Sequence, residues 1–77
     1  MQIRWFAGAA QAAGVTQEEV DAAQQGTVGQ VLVALRPGVA QVLPRCSFLA
    51  DGRSLAADDP WPEQAAVVDV LPPFTGG

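Results

Sequence analysis

The stretch Thr27-Val28-Gly29-Gln30-Val31-Leu32-Val33-Ala34-Leu35-Arg36-Pro37-Gly38 decides how the chain is read. Val28, Val31, Leu32 and Leu35 recur at the i, i+3, i+4, i+7 spacing that lines one face of a helix. Thr27 is a suitable N-cap, Arg36 falls in the last turn where a cation complements the helix dipole, and Pro37-Gly38 ends the element. The valines lower intrinsic helix preference a little, so packing against a second layer has to hold this helix.

That second layer is written on both sides of it. Towards the N-terminus, Gln2 to Ala7 alternate, with Ile3 and Trp5 on one face and Arg4 and Phe6 on the other, as in a half-buried strand. Ile3 and Trp5 are placed inward because Arg4 must face out, which leaves Phe6 exposed. Residues 8–14, small and bounded by glycines, read as a connection between strands, with a short helical turn as the alternative. Residues 15–22 read as a weaker second strand. Beyond the helix, residues 39–43 add another short turn. Asp51-Gly52 then sits between apolar runs, a strong hairpin signal because both turn residues need positive φ. Residues 58–62 form a loop whose Trp61 covers the edge of the core. Residues 66–71 form the last strand, with Val68 and Val70 inward and Val67, Asp69 and Leu71 outward. Strands flanking one amphipathic helix predict an α+β architecture, a mixed sheet cupping one main helix, with the first and last strands as a parallel central pair. In that register Arg4 can pair with Asp69, and Phe6 and Leu71 share one outer surface.

Composition excludes several kinds of function. Histidine and tyrosine are absent and Cys46 is the single cysteine, so a His-based acid–base site and a Cys/His metal site are excluded. As the lone cysteine Cys46 reads as a small core or edge residue, and Asp58 and Asp59 read as solvated carboxylates, so no metal site is expected. Eight acidic residues against four arginines give a net charge of −4, which argues against nucleic acid as a partner and for a partner with a positive rim. Lysine is absent, so side-chain-linked polymers of this chain are excluded. No apolar run of about 20 residues and no basic-then-apolar leader is present, so neither a membrane span nor a signal peptide is expected. A cytoplasmic protein fits this reading.

What remains is the end, Leu71-Pro72-Pro73-Phe74-Thr75-Gly76-Gly77. Two prolines disfavour helix and remove donors, so residues 72–77 are expected to leave the domain of residues 1–71 as an extended arm reaching about 20 Å. Two glycines leave the carboxylate free of side-chain bulk, which suits a terminus threaded into another protein's narrow site.

The element order, Trp5-Phe6-Ala7 leading into a small loop closed by Gly14, Thr27 before the helix, and above all the Pro-Pro-x-x-Gly-Gly ending resemble the MoaD/ThiS family. These are ubiquitin-like sulfur carriers with the β-grasp fold. The double proline and the length are similar to the MoaD branch, the small subunit of molybdopterin synthase.

The resemblance implies that the Gly77 carboxylate is adenylated by a ubiquitin-activating-type (MoeB-like) enzyme using ATP and magnesium, and is then converted to a thiocarboxylate. It further implies that the arm enters a large synthase subunit (MoaE-like) and gives its sulfur to a pterin precursor. On this view the carrier holds no permanent cofactor and catalyses nothing alone. Gly76 is the slim neighbour of Gly77, Phe74 and Thr75 touch the channel walls, and Phe6, Leu55 and Leu71 fall where the family presents apolar contacts to the activating enzyme. The loop that often carries a basic residue in the family here reads Ala9-Ala10-Gln11-Ala12, and the turn before the last strand reads Glu63-Gln64-Ala65. A changed turn within an unchanged fold is expected. Other readings are a carrier for cysteine or thiazole synthesis, a ubiquitin-like modifier, or a non-catalytic β-grasp interaction domain.

Overall fold

A computed structural model describes residues 1–73. Strand β1 (Gln2–Trp5) leads into helix α1 (Ala7–Ala13), strand β2 (Gln17–Glu19) and helix α2 (Val28–Leu35). Two 3-10 turns, Pro37–Val39 and Leu43–Arg45, follow, then strands β3 (Ser47–Ala50), β4 (Arg53–Leu55) and β5 (Val67–Leu71). The sheet order is β2-β1-β5-β3-β4. The central pair β1 and β5 is parallel, and every other pairing is antiparallel. The expected α+β sheet over one main helix is therefore present.

Alternation places the core as expected. Ile3 and Trp5 from β1, Val68 and Val70 from β5 and Phe48 from β3 meet Val28, Val31 and Leu32 of α2, with Val39 and Leu43 from the 3-10 turns and Trp61 from the loop before β5. Helix α2 opens on a capping box, in which Thr27 Oγ1 accepts from the Gln30 amide at 3.2 Å and Gln30 Oε1 accepts from the Thr27 amide at 2.9 Å. Two further amides of its first turn donate to loop carbonyls, Val28 to Asp59 at 2.9 Å and Gly29 to Ala57 at 2.9 Å. The loop that carries Trp61 into the core thus also finishes the helix start.

The Asp51-Gly52 hairpin is present, with φ of 49° and 83° at its two turn residues. Asp51 does more than turn the chain. Its carboxylate accepts from the Ala66 amide at 3.0 and 3.1 Å and from the Val67 amide at 3.0 Å, tying the hairpin tip to the start of β5. The turn before β5 closes through the Ala65 amide, which donates to the Pro62 carbonyl at 3.0 Å, so the altered turn leaves the strand order intact.

Three sequence readings need correction. The stretch 8–14, read as a connection with a short helical turn as the alternative, is helical up to Ala13, within α1 (Ala7–Ala13). Ala9 and Ala13, four apart, are its buried face, and Gly14 ends it in the left-handed region at φ 84°. The small side chains let α1 lie close to the first 3-10 turn, where a Cβ on Gly38 would stand 2.7 Å from the Ala12 carbonyl oxygen. The second strand is shorter than residues 15–22, spanning only Gln17–Glu19. Arg36, finally, does not serve the helix dipole. Its Nε and Nη2 reach across to Glu18 of β2 at 2.9 and 3.1 Å.

Glu18 sits opposite Ile3 on the core side of β2 and also accepts from Trp5 Nε1 at 2.9 Å. One carboxylate therefore joins the first strand, the edge strand and the end of α2. The Arg36 hydrogen bonds hold its carboxyl below the usual carboxylate range, against the opposing effect of partial burial. A folded pKa below the unfolded value, about 4.3 for glutamate, gives stability that is complete above the unfolded pKa and lost as pH falls through the folded one. Urea midpoints measured from pH 7 downward are expected to fall below about pH 5 in the wild type, and to fall less steeply in Glu18→Gln. Identical acid slopes in the two chains would remove this account of the network.

Candidate functional site

The site is the outer face of the sheet together with the root of the C-terminal arm. On that face Arg4 and Asp69 lie opposite one another in the parallel register. Arg4 Nε donates to Asp69 Oδ1 at 2.6 Å and Nη2 to Oδ2 at 2.9 Å, a bidentate pair. The pairing expected from alternation is present, with one difference. Asp69 is outward-facing yet only 6% exposed, because the guanidinium lies across it between two neighbouring strands. That contact raises the Arg4 pKa, first through the hydrogen bond and then through charge attraction.

Phe6 is the exposed large hydrophobic side chain among the described residues, at 37%. The Arg4 guanidinium carbon stands 5.9 Å from its ring centroid. The Phe6 amide donates to the Val70 carbonyl at 3.1 Å, so the register of β1 with β5 runs one step further and sets Phe6 beside half-buried Leu71. Leu49 of β3, opposite Asp69, and Ser47, opposite Leu71, complete the same face. The two residues expected to share an outer surface are thus brought together. Leu55 is not with them. It pairs with Phe48, whose other neighbour is Val70, so it points to the helix side and packs half-buried against the core.

Strand β5 carries the arm. Leu71 still pairs with Ser47, and then Pro72 and Pro73, having no N–H, offer no donor to extend the ladder. The expected arm begins here, but Phe74, Thr75, Gly76 and Gly77 lie outside the described residues. Beside the root is a groove of about 450 Å³ between the start of α1 and the second 3-10 turn. Pro72, Pro73, Ala7 and Val42 form apolar walls, with Gln11, Gln41 and Arg45 as polar lining. Cys46 lines it too, half-buried, its thiol donating to the Val42 carbonyl at 3.3 Å. Burial pushes this thiol up, which leaves less thiolate at neutral pH. Ala7, at the turn from β1 into α1, takes a φ of 47° that alanine seldom adopts. Sequence reading missed the groove because its walls come from segments remote in the chain.

Fold and face together define a ubiquitin-like β-grasp protein, of the type found in MoaD-like sulfur carriers and ubiquitin-like modifiers. The chain is similar to SAMP1 from Haloferax volcanii, at 26% identity and a TM-score of 0.69 over 99% of this chain and 97% of that one. A second structure, of small archaeal modifier protein 1 from H. volcanii, matches at 24% identity and a TM-score of 0.68, over 95% of each chain. A Pyrococcus furiosus protein assigned as molybdopterin converting factor subunit 1 has a TM-score of 0.70 at 20% identity, over 95% of each chain. No family model matches the sequence, and a search of curated proteins gives no match. No helix among the described residues is long and apolar enough to cross a membrane.

Proposed function

We propose that this chain is a sulfur-carrier protein whose reactive group is the Gly77 carboxyl, and that its sulfur goes to a pterin precursor in molybdopterin synthesis. The observation that carries the proposal is the Pro-Pro-Phe-Thr-Gly-Gly sequence continuing directly from the central strand of a β-grasp sheet. The likeness to the P. furiosus converting factor supports the choice of pathway.

The chemistry follows from the carboxyl group. With a pKa of about 3.5 it is an anion at neutral pH and a poor acyl electrophile. Its oxygen attacks the α-phosphorus of ATP on the activating enzyme, pyrophosphate leaves, and the acyl-adenylate has a good leaving group. A sulfur nucleophile then adds at the carbonyl and AMP departs, leaving a thiocarboxylate. Magnesium belongs to the ATP step. No histidine or lysine of this chain takes part, so the partner enzyme supplies every acid, base and oxyanion donor. Phe6 and Leu71 form the docking face, and Leu55 meets the same enzyme only by contact around the β4 edge. Phe74 and Thr75 touch the walls of the partner's channel, and Gly76 is the slim neighbour that lets Gly77 pass. The large synthase subunit is the second partner, and the setting is the cytoplasm.

Intact-mass spectrometry tests this after incubation with the activating enzyme, ATP, magnesium and a sulfide donor. The expected product is about 16 Da heavier, the difference between one sulfur and one oxygen atom. The loaded chain, mixed with the large synthase subunit and the pterin precursor, is expected to return to its starting mass as product forms. An unchanged mass in the first step ends the proposal.

The likeness to the two Haloferax structures favours a second reading, a modifier joined through Gly77 to lysines of other proteins. Isopeptide-linked adducts in lysate, lost when Gly76 and Gly77 are deleted, would select it.

A further inference from the structure

The groove at the arm's root holds a charge that the fold does not use. Of the four arginines, Arg4 and Arg36 are engaged by Asp69 and Glu18. Arg53 lies on β4 opposite Ala50, towards the other end of the sheet from Leu71. Arg45 is exposed on the groove wall and has no ion-pair partner among the described residues. Among the described residues the groove lining contains no carboxylate. In a chain of net charge −4, the root of the arm is thus a locally cationic spot beside apolar walls.

Position selects the occupant. The arm continues from Pro73, which is itself a groove wall, so any protein that encloses residues 74–77 brings its own surface against the groove. One guanidinium flanked by the neutral amides of Gln11 and Gln41 matches a single carboxylate better than the several charges of a triphosphate. Ala7, Val42, Pro72 and Pro73 offer contact to an aliphatic side chain. We infer that this groove receives, from the adenylating enzyme, a segment that pairs an aliphatic side chain with a carboxylate, and that Arg45 is its charge contact. The inference rests on the carrier reading above. It also reverses the sign expected from net charge at this one place. The partner's rim is positive in general, but acidic where it meets the arm's root.

Initial rates of pyrophosphate release, with carrier and ATP varied separately, test it. Arg45→Glu is expected to raise KM for the carrier about 10-fold or more with kcat unchanged, and to weaken the salt dependence, as loss of a rim charge does. Arg45→Lys is expected to stay within about 2-fold, since a point charge suffices at an exposed contact. Arg53→Glu carries the same charge change away from the groove and is expected to change KM little. Thermal melts of each variant are expected to match the wild type, because both arginines are exposed. Arg45→Glu indistinguishable from wild type overturns the inference, as does an equal rise in Arg53→Glu. A rise in KM for ATP alone assigns the charge to the nucleotide and overturns it too. In all three cases a wild type that gains sulfur leaves the carrier function standing. A wild type that gains none removes both.

Discussion

A chain carrying one extra alanine after Gly77 is expected to gain no sulfur under conditions that load the wild type to completion. Glycine at the reacting position leaves only hydrogen on Cα, and an added methyl-bearing residue both displaces the carboxyl and widens the end that must pass a narrow site. A misplacement of about 1 Å costs about 100-fold in rate when attack geometry is held by positioning alone, and one added residue shifts the carboxyl by about 3.5 Å. The chain has no histidine that could compensate. The loss is expected in kcat/KM for adenylation, read as pyrophosphate release. The melting temperature is expected to stay within about 1 °C of wild type, because an addition beyond the core carries at most a small stability effect. The core itself runs from Ile3 to Val70. Full loading of the extended chain would overturn the argument that the carboxyl must sit on Gly77.

The second large effect is on folding. Trp5→Ala is expected to leave the chain largely unfolded at 37 °C. Trp5 is 2% exposed within the core, and removing such a side chain costs about 3–5 kcal/mol. A chain of this length has roughly 4–12 kcal/mol to lose, and small domains sit towards the lower end because they bury proportionally less surface. The indole also donates to Glu18, so its removal loosens the carboxylate that joins β2 to the end of α2. Trp5→Phe keeps a six-membered aromatic ring but loses the rest of the indole together with the donor, an intermediate cost of about 2 kcal/mol. Circular dichroism melts separate the cases, and a cooperative transition in Trp5→Ala within a few degrees of wild type would contradict the burial argument.

Where sequence reading succeeded, the signal was periodic or had one meaning. The i, i+3, i+4, i+7 apolar spacing of α2, the Asp-Gly turn and the alternation in β1 and β5 each admit few structures. From those two strands alone came the Arg4–Asp69 pair and the shared face of Phe6 and Leu71. Helix α1 escaped because alanine and glycine show no amphipathic contrast. Its one usable signal was Ala9 and Ala13, four apart before Gly14. Leu55 was given a partner contact by the family resemblance alone, since a three-residue strand carries too little alternation to fix its face. The pairing with Phe48 is a tertiary fact. Arg36 was read only against the dipole of its own helix, since nothing local announces a bond to Glu18 across 18 positions.

The central place of β5 has a mechanical consequence. On the proposed function, a partner that draws Gly77 into its site pulls on the chain, and the load enters the fold at Leu71. There β5 has β1 on one side, parallel, and β3 on the other, antiparallel. A pull directed along the axis of β5 would load the flanking ladders in shear, so that their hydrogen bonds must yield together. An arm rooted on an edge strand such as β4 would peel one bond at a time. A sheet with its last strand at the centre can be tugged by that strand without unravelling.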